Sequence, residues 1–315
     1  MSVSNANRTS LQEDRYPSRG LLKAQLVERQ DPVVYGQSDA TSPLPRDQVE
    51  AYRRDGFLVL EGVFSDVEID HLQREMARLL GDREIHAAGE TITERSTDEI
   101  RSIFRVHQSS PVFEALSRDP RLVELARYLL GDAIYVHQSR LNFKPGFRGK
   151  EFYWHSDFET WHVEDGMPAM RALSMSITLT DNDCNNGPLM LIPGSHRYYA
   201  VCEGETPENH FESSLKKQQY GVPSDACLSQ LVERGGIYTA TSSPGSVIIF
   251  DCNTMHGSSS NITPYPRSNA FFVYNAISNR LQSPFCDRPP RPEYISAREN
   301  ITPLIVAAPH DVTAT

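Results

Sequence analysis

No apolar run in this 315-residue chain approaches the length of a membrane span. The opening stretch MSVSNANRTSLQEDRYPSRG lacks the apolar centre of a signal peptide. The five cysteines (Cys184, Cys202, Cys227, Cys252 and Cys286) include no C-x-x-C pair and are odd in number, which excludes a disulfide framework and a thiolate zinc site. A reducing cytoplasm is therefore the expected location. There is no basic cluster, and the net charge is −10, so neither nucleic acid nor an anionic membrane surface is an expected partner. No internal repeat is present. Tryptophan is scarce too: both residues, Trp154 and Trp161, fall inside one stretch, FYWHSDFETWHVEDG.

What is there has a clear order. Residues 1–45 are polar and weakly periodic, which predicts a partly ordered arm. A domain over 46–290 follows, then a Pro-rich tail, 291–315, expected to wrap the surface. Within the domain, LPRDQVEAYRRD predicts a short helix and Phe57 to Val63 a strand. Ser65 with Glu68 three residues on is a capping box, and Ile69, Leu72, Met76, Leu79 and Leu80 share one face of the helix it opens. Asp119-Pro120 fits the cap and first position of another helix.

From Ala133 the hydrophobic period changes to 2. YVHQSRLNFKPG, RALSMSITLTD, GPLMLIPGS, GGIYTATSS, GSVIIFDCN and RSNAFFVYNAIS read as strands separated by turns. Helices first and strands afterwards imply a mainly β protein with a helical layer, and strands at this spacing suggest a cupin-like jelly roll, the double-stranded β-helix. Residues 199–229 are too polar for a core strand and are expected to pass over the barrel mouth.

The aromatic and acidic stretch invites a metal. On a strand, His155 and Asp157 would point the same way. His256, just past the apolar run SVIIFD, would complete a face of two histidines and one carboxylate, a set that suits non-haem Fe(II) and also zinc. Gln138, Arg140, Asn142 and Lys144 alternate onto one side of their strand, either towards solvent or into a polar barrel interior. Arg267, Asn269 and Phe271 do the same on another, and Arg267 is positioned to clamp a carboxylate.

Three motifs in order, H-x-D, NNGPLMLIPGSH (185–196) and GSVIIFDCNTMHGSSSN (245–261), followed by Arg267, resemble the phytanoyl-CoA dioxygenase superfamily of Fe(II)/2-oxoglutarate oxygenases. Within it, FYWHSDFETWHVEDGMP (152–168) resembles the signature of the ectoine hydroxylases. The resemblance implies that His155, Asp157 and His256 hold Fe(II), and that Arg267, Ser258, Asn142, Arg140, Phe104 and Phe152 surround 2-oxoglutarate. Gln138, Thr160, Trp161, Phe250, Asn269 and Phe271 would hold the substrate. O2 would be the second co-substrate, and succinate and CO2 the by-products. The substrate would be ectoine, a cyclic zwitterion whose amidinium suits an aromatic face, hydroxylated to 5-hydroxyectoine, a compatible solute protecting against osmotic stress. A carboxylate at Asp157 implies hydroxylation rather than halogenation. A homodimer is implied as well.

Overall fold

The computed structural model describes residues 14–37, 42–94, 99–208 and 220–307. In chain order these form β1 (Gln25–Glu28), α1 (Arg46–Asp55), β2 (Phe57–Leu60), α2 (Asp66–Gly81), α3 (Arg83–Ala87), β3 (Thr91–Thr93), β4 (Ile100–Phe104), α4 (Val106–Ser109), α5 (Pro111–Ser117), α6 (Pro120–Leu130), β5 (Ile134–Lys144) and β6 (Phe152–His155). The second half contributes α7 (Asp157–Asp165), β7 (Ala172–Thr178), β8 (Leu189–Leu191), β9 (Tyr198–Val201), α8 (Asp225–Gly235), β10 (Tyr238–Ala240), β11 (Val247–Asp251), β12 (His256–Ser258) and β13 (Arg267–Ala276).

The helix ends follow the local chemistry of the sequence. Ser65 caps α2 through the Glu68 backbone N–H while the Glu68 side chain returns to Ser65. The Asp119 side chain caps α6, with Pro120 at the first turn. Ile69, Leu72 and Leu79 of α2 are buried, and Met76 and Leu80 pack beside them. Each such side chain contributes about 1.5–3 kcal/mol through removal from water.

Seven strands form one antiparallel sheet in the order β2-β11-β7-β13-β5-β4-β3, and four form a second, β10-β8-β12-β6. Alternation along β11 explains the layers. Val247 and Ile249 join the core under the helices; Ile248 and Phe250 point the other way, into a cluster with Leu189, Leu191 and Ala240 of the small sheet. On β7, Leu173, Met175 and Ile177 face the helices, whereas Ser174 and Thr178 hydrogen-bond to Asp157 and Ser242. The large sheet is thus buried on both faces, and the space between the two sheets is polar enough to hold chemistry. This is the expected double-stranded β-helix with a helical layer.

Three stretches differ from the sequence expectation. Within residues 14–45, predicted as an arm, Tyr16 and Arg19 are 1% and 5% exposed and β1 pairs with β9. Part of the expected polar excursion over 199–229 is therefore strand, with Tyr199, Ala200 and Val201 buried, and its far end starts α8. Residues 209–219 of it lie outside the described residues. The Pro-rich tail also enters the body, with Ile295 and Ser296 fully buried. Long-range partners account for all three: Arg19 bonds to Glu159, β1 pairs with β9, and the Ile295 carbonyl accepts from Gln138, none of which a local pattern reveals.

Gly166 ends α7 in the left-handed conformation (φ 76°), and a Cβ there would run into the carbonyl oxygens of Gln282 and Ser283. Gly166→Ala is expected to lower unfolding free energy by more than about 1 kcal/mol, measured by urea denaturation, because both the backbone and the space oppose it. A variant as stable as the parent would mean that this corner is loosely packed.

Candidate active site

His155 ends β6, and the chain turns through extended Ser156 into α7, whose first residue is Asp157. The H-x-D pair is therefore not displayed along one strand, as its spacing suggests. A strand-to-helix turn aims the two side chains at a common point. His256 is brought in by pairing: it lies directly opposite His155 in the antiparallel register of β12 and β6, with ring centroids 4.3 Å apart. Asp157 Oδ1 is 3.8 Å from His155 Nε2 and 4.0 Å from His256 Nε2. One donor atom from each residue lies within 4.8 Å of the others.

The surroundings prepare these atoms. His155 Nδ1 lies 2.7 Å from the Tyr153 carbonyl oxygen, and His256 Nδ1 lies 2.9 Å from that of Thr254. A carbonyl only accepts, so both Nδ1 atoms carry the proton and both Nε2 lone pairs face the common point. Burial, then neighbouring His256, pushes His155 down to about 4, leaving the neutral imidazole that a metal needs. Ser174 Oγ donates to Asp157 Oδ2 at 3.3 Å. Two neutral imidazoles and a carboxylate on one face fit Fe(II) and leave further coordination positions open.

One side of this cavity is rich in buried basic side chains. Arg267 makes no ion pair among the described residues, and its Nε has no hydrogen-bond partner. Burial, then Arg101, lowers it to about 10. Lys144, 2% exposed, is pushed down to about 6 by burial, then by Arg267 and Arg101. Its Nζ donates to Ser258 Oγ at 2.7 Å and to the Ser259 carbonyl at 2.5 Å. Burial also pulls Arg140 below its ordinary value; it donates to Gln138 Oε1 at 2.5 Å. Buried cations without carboxylates are costly unless an anion joins them, so this wall suits a carboxylate ligand. The stripe of Gln138, Arg140, Asn142 and Lys144 thus lies inside the barrel rather than facing solvent.

Thr160 and Trp161, on α7, line the cavity together with Gln138, Arg140, Asn142, Phe152, Leu189, Ser258, Arg267 and Phe271. Phe104, Phe250 and Asn269, expected at the site, do not line it. They stand one layer behind: the Phe250 ring is 4.9 Å from that of His256, Phe104 lies 5.9 Å from the Arg140 guanidinium, and Asn269 donates to Ser176 Oγ at 2.8 Å. Two lining residues, Arg291 and Ile295, escape the sequence reading because they belong to the tail. Gln138 Nε2 donates to the Ile295 carbonyl at 2.6 Å, and Arg291 forks onto Asp165. Lys144 shows a signal in the sequence, its place in the alternating stripe of β5, without a role assigned to it.

Fold and donor set together define a class, a jelly roll carrying a two-histidine, one-carboxylate metal face. Residues 52–269 match the family described as phytanoyl-CoA dioxygenase, and the chain belongs to that family. Within it, the chain is 56% identical over 286 residues to the ectoine dioxygenase of Sphingopyxis alaskensis, covering 91% of this chain and 94% of that protein. It is 52% identical over 294 residues to the ectoine dioxygenase of Stutzerimonas stutzeri, covering 93% and 97%. Among solved structures, the S. alaskensis enzyme EctD with 2-oxoglutarate and 5-hydroxyectoine is similar at TM-score 0.86 and 51% identity, over 93% of this chain and 98% of that one. The same enzyme with bound Fe gives 0.84 and 50%, over the same shares of the two chains. The carbocyclase SnoK, at 19% identity and TM-score 0.61 over 88% of this chain and 98% of that one, shares the fold.

The buried amine makes stability depend on pH. With a folded value of about 6 against an ordinary value of 10.5, Lys144 is neutral in the folded chain and protonated in the unfolded chain between those limits. The unfolded state then binds the extra proton, so its contribution to stability rises with pH across that window and falls as pH drops. Lys144→Met is expected to flatten the rise of unfolding free energy between pH 7 and 10 by up to about 1.4 kcal/mol per pH unit. Urea denaturation across that range checks this, and an unchanged slope would exclude a neutral buried amine.

Proposed function

We propose that this chain is an Fe(II)- and 2-oxoglutarate-dependent dioxygenase that hydroxylates ectoine to 5-hydroxyectoine, consuming O2 and releasing succinate and CO2. The observation that carries this is the cavity itself: a three-ligand metal face flanked by cations without carboxylates and by an aromatic wall. The kinship at 56% identity with an ectoine dioxygenase supplies the substrate. Five free cysteines support a cytoplasmic location, and the homodimer belongs to the same reading through the resemblance.

His155, Asp157 and His256 hold the iron through Nε2, a carboxylate oxygen and Nε2. When bound, the iron supplies the redox chemistry that couples oxidative decarboxylation of 2-oxoglutarate to insertion of one oxygen atom into the substrate. Arg267 receives the distal carboxylate of 2-oxoglutarate, with Ser258, Lys144 and Asn142 beside it; a carboxylate there takes a charge-assisted hydrogen bond and cancels an unpaired buried charge. Arg140 and Phe152 complete that pocket, and Phe104 supports Arg140 from behind. Trp161 and Phe271 offer aromatic faces to the ectoine amidinium, and Gln138 and Thr160 offer hydrogen bonds. Arg291, the cation at that end, faces the ectoine carboxylate. Phe250 and Asn269 support this wall rather than touch the ring. A metal-free binding module would need neither two Nδ1-locked imidazoles nor a carboxylate converging on one point.

The test is turnover by the iron-loaded protein with 2-oxoglutarate, O2 and ectoine, following succinate and product mass. Ectoine gaining one oxygen with matching succinate is expected; succinate without that product would reject ectoine and keep the chemistry. Arg267→Ala is expected to raise the KM for 2-oxoglutarate about tenfold or more, the loss of a bond to a charged group, and to leave the KM for ectoine nearly unchanged. Trp161→Ala is expected to do the reverse. Equal effects on both substrates would refute the assignment of the two ends.

A further inference from the structure

The helix that carries Asp157, Thr160 and Trp161 is gripped by chain segments outside the region matched to the family. Its other acidic residues, Glu159, Glu164 and Asp165, are 1%, 3% and 0% exposed, and none lines the cavity. Arg19 forks onto Glu159, with Nε 2.9 Å from Oε1 and Nη2 2.7 Å from Oε2. Its Nη1 donates to Glu164 Oε1 at 2.6 Å and to Thr206 Oγ1 at 2.8 Å. Ser18 Oγ adds a bond to Glu159 Oε1 at 2.8 Å. On the far side Arg291 Nε lies 3.9 Å from Glu164 Oε2 and forks onto Asp165. Charges thus alternate along Glu159, Arg19, Glu164, Arg291 and Asp165, tying the N-terminal segment, α7 and the C-terminal segment together.

Two further features mark the clamp as closely fitted. Arg19 has φ 68°, a left-handed conformation that a non-glycine residue keeps only where its surroundings fix it; Arg19 N–H donates to the Cys202 carbonyl at 2.9 Å and Gly20 N–H to that of Gly204 at 2.7 Å. Gly221 presses on the same point, since a Cβ there would meet Glu159, Thr160 and the Arg19 guanidinium. Glu159 immediately precedes Thr160 and Trp161. A helix turns 100° per residue, so fixing the direction of Glu159 fixes the directions of the two cavity residues that follow.

We propose that Arg19 is a positioning residue for the substrate end of the cavity: its fork onto Glu159 and its bond to Glu164 set the rotation of α7, so that Thr160 and Trp161 face inward and recognition of a small zwitterion depends on a segment outside residues 52–269. The metal face and the cationic end, by contrast, are built within 52–269, from His155, Asp157, His256, Asn142, Lys144, Ser258 and Arg267. The identity of the zwitterion rests on the function proposed above; the clamp itself does not.

Arg19→Lys keeps the charge and loses the planar fork, and Arg19→Met removes both. Each is made in the full chain carrying Trp154→Phe, which leaves Trp161 the sole indole. In Arg19→Lys the KM for ectoine is expected to rise about tenfold while that for 2-oxoglutarate changes less than about twofold, the loss of one charge-assisted pair of bonds falling on one end alone. Acrylamide quenching of Trp161, a side chain on a residue 3% exposed, is expected to increase severalfold. A merely structural ion pair would lower the thermal midpoint and move neither KM ratio nor quenching. An unchanged ectoine KM, or both KM values rising together, overturns the proposal. Should the parent fail to turn over ectoine, the substrate assignment falls, and the quenching arm still decides the clamp: unchanged quenching in Arg19→Lys overturns it. If Arg19→Met does not fold, Arg19→Lys carries the same readouts.

Discussion

The antiparallel pairing of β12 with β6 is the constraint on which the site depends. It sets His256 opposite His155, and it does so through backbone hydrogen bonds that neither ring has to supply. Directly opposed side chains on a sheet stand close together by geometry alone, so two of the three converging side chains are delivered by the ladder. The third arrives because the chain leaves β6 and enters α7 without an intervening loop. A slip of one residue in that register would turn one imidazole away from the cavity and end the site. The rest of the small sheet serves this pairing: β8 flanks β12 on its other edge, with Leu191 opposite His256.

Electrostatics then divides the cavity. Folding has buried Arg267 and Arg140 on the walls without matching carboxylates, at a cost in desolvation, and burial pushes both below their ordinary values, while Lys144 behind them is pushed down far enough to be neutral. Such an arrangement is unfavourable for the empty protein and favourable for an anion that completes it. At the α7 end the charges are instead compensated within the protein, Arg19 and Arg291 against three carboxylates. One end is left wanting a charged ligand; the other is made rigid.

Much of this was legible in the sequence where the cause is local. The capping box at Ser65, the Asp119-Pro120 start and the period-2 strands depend on neighbours a few residues away, and each stands where the pattern puts it. The grouping of His155, Asp157 and His256 was legible because that combination of residue types is rare, and the three side chains do converge. The strand display of His155 and Asp157 was not, since a His-x-Asp spacing fits a strand and a strand-to-helix turn equally well. Phe250 and Asn269 lie on strands whose alternation points inward, yet depth within the barrel is not a property of alternation, and both end one layer behind the wall. Arg19 and Arg291 were invisible for a different reason. Their partners are 140 and 126 residues away, and polar, Pro-containing termini look the same whether they are solvated or tucked beneath a helix.

The last point bears on how one fold serves different substrates. Strands hold positions closely because the ladder fixes their register, with β12 paired to β8 and β6 and β13 to β7 and β5, which suits a metal and a co-substrate whose geometry cannot vary. A helix packed on such a framework can rotate a little without disturbing the ladder. Its orientation can therefore be set separately, by residues that never touch the metal. In this chain the setting is done by a buried chain of five charges contributed by α7 and by segments from both sides of the family-wide domain. On the proposed function, chemistry and selectivity thereby rest on different parts of the sequence, and a change in the terminal segments can reach Thr160 and Trp161 while His155, Asp157 and His256 stay where β6, β12 and the start of α7 put them.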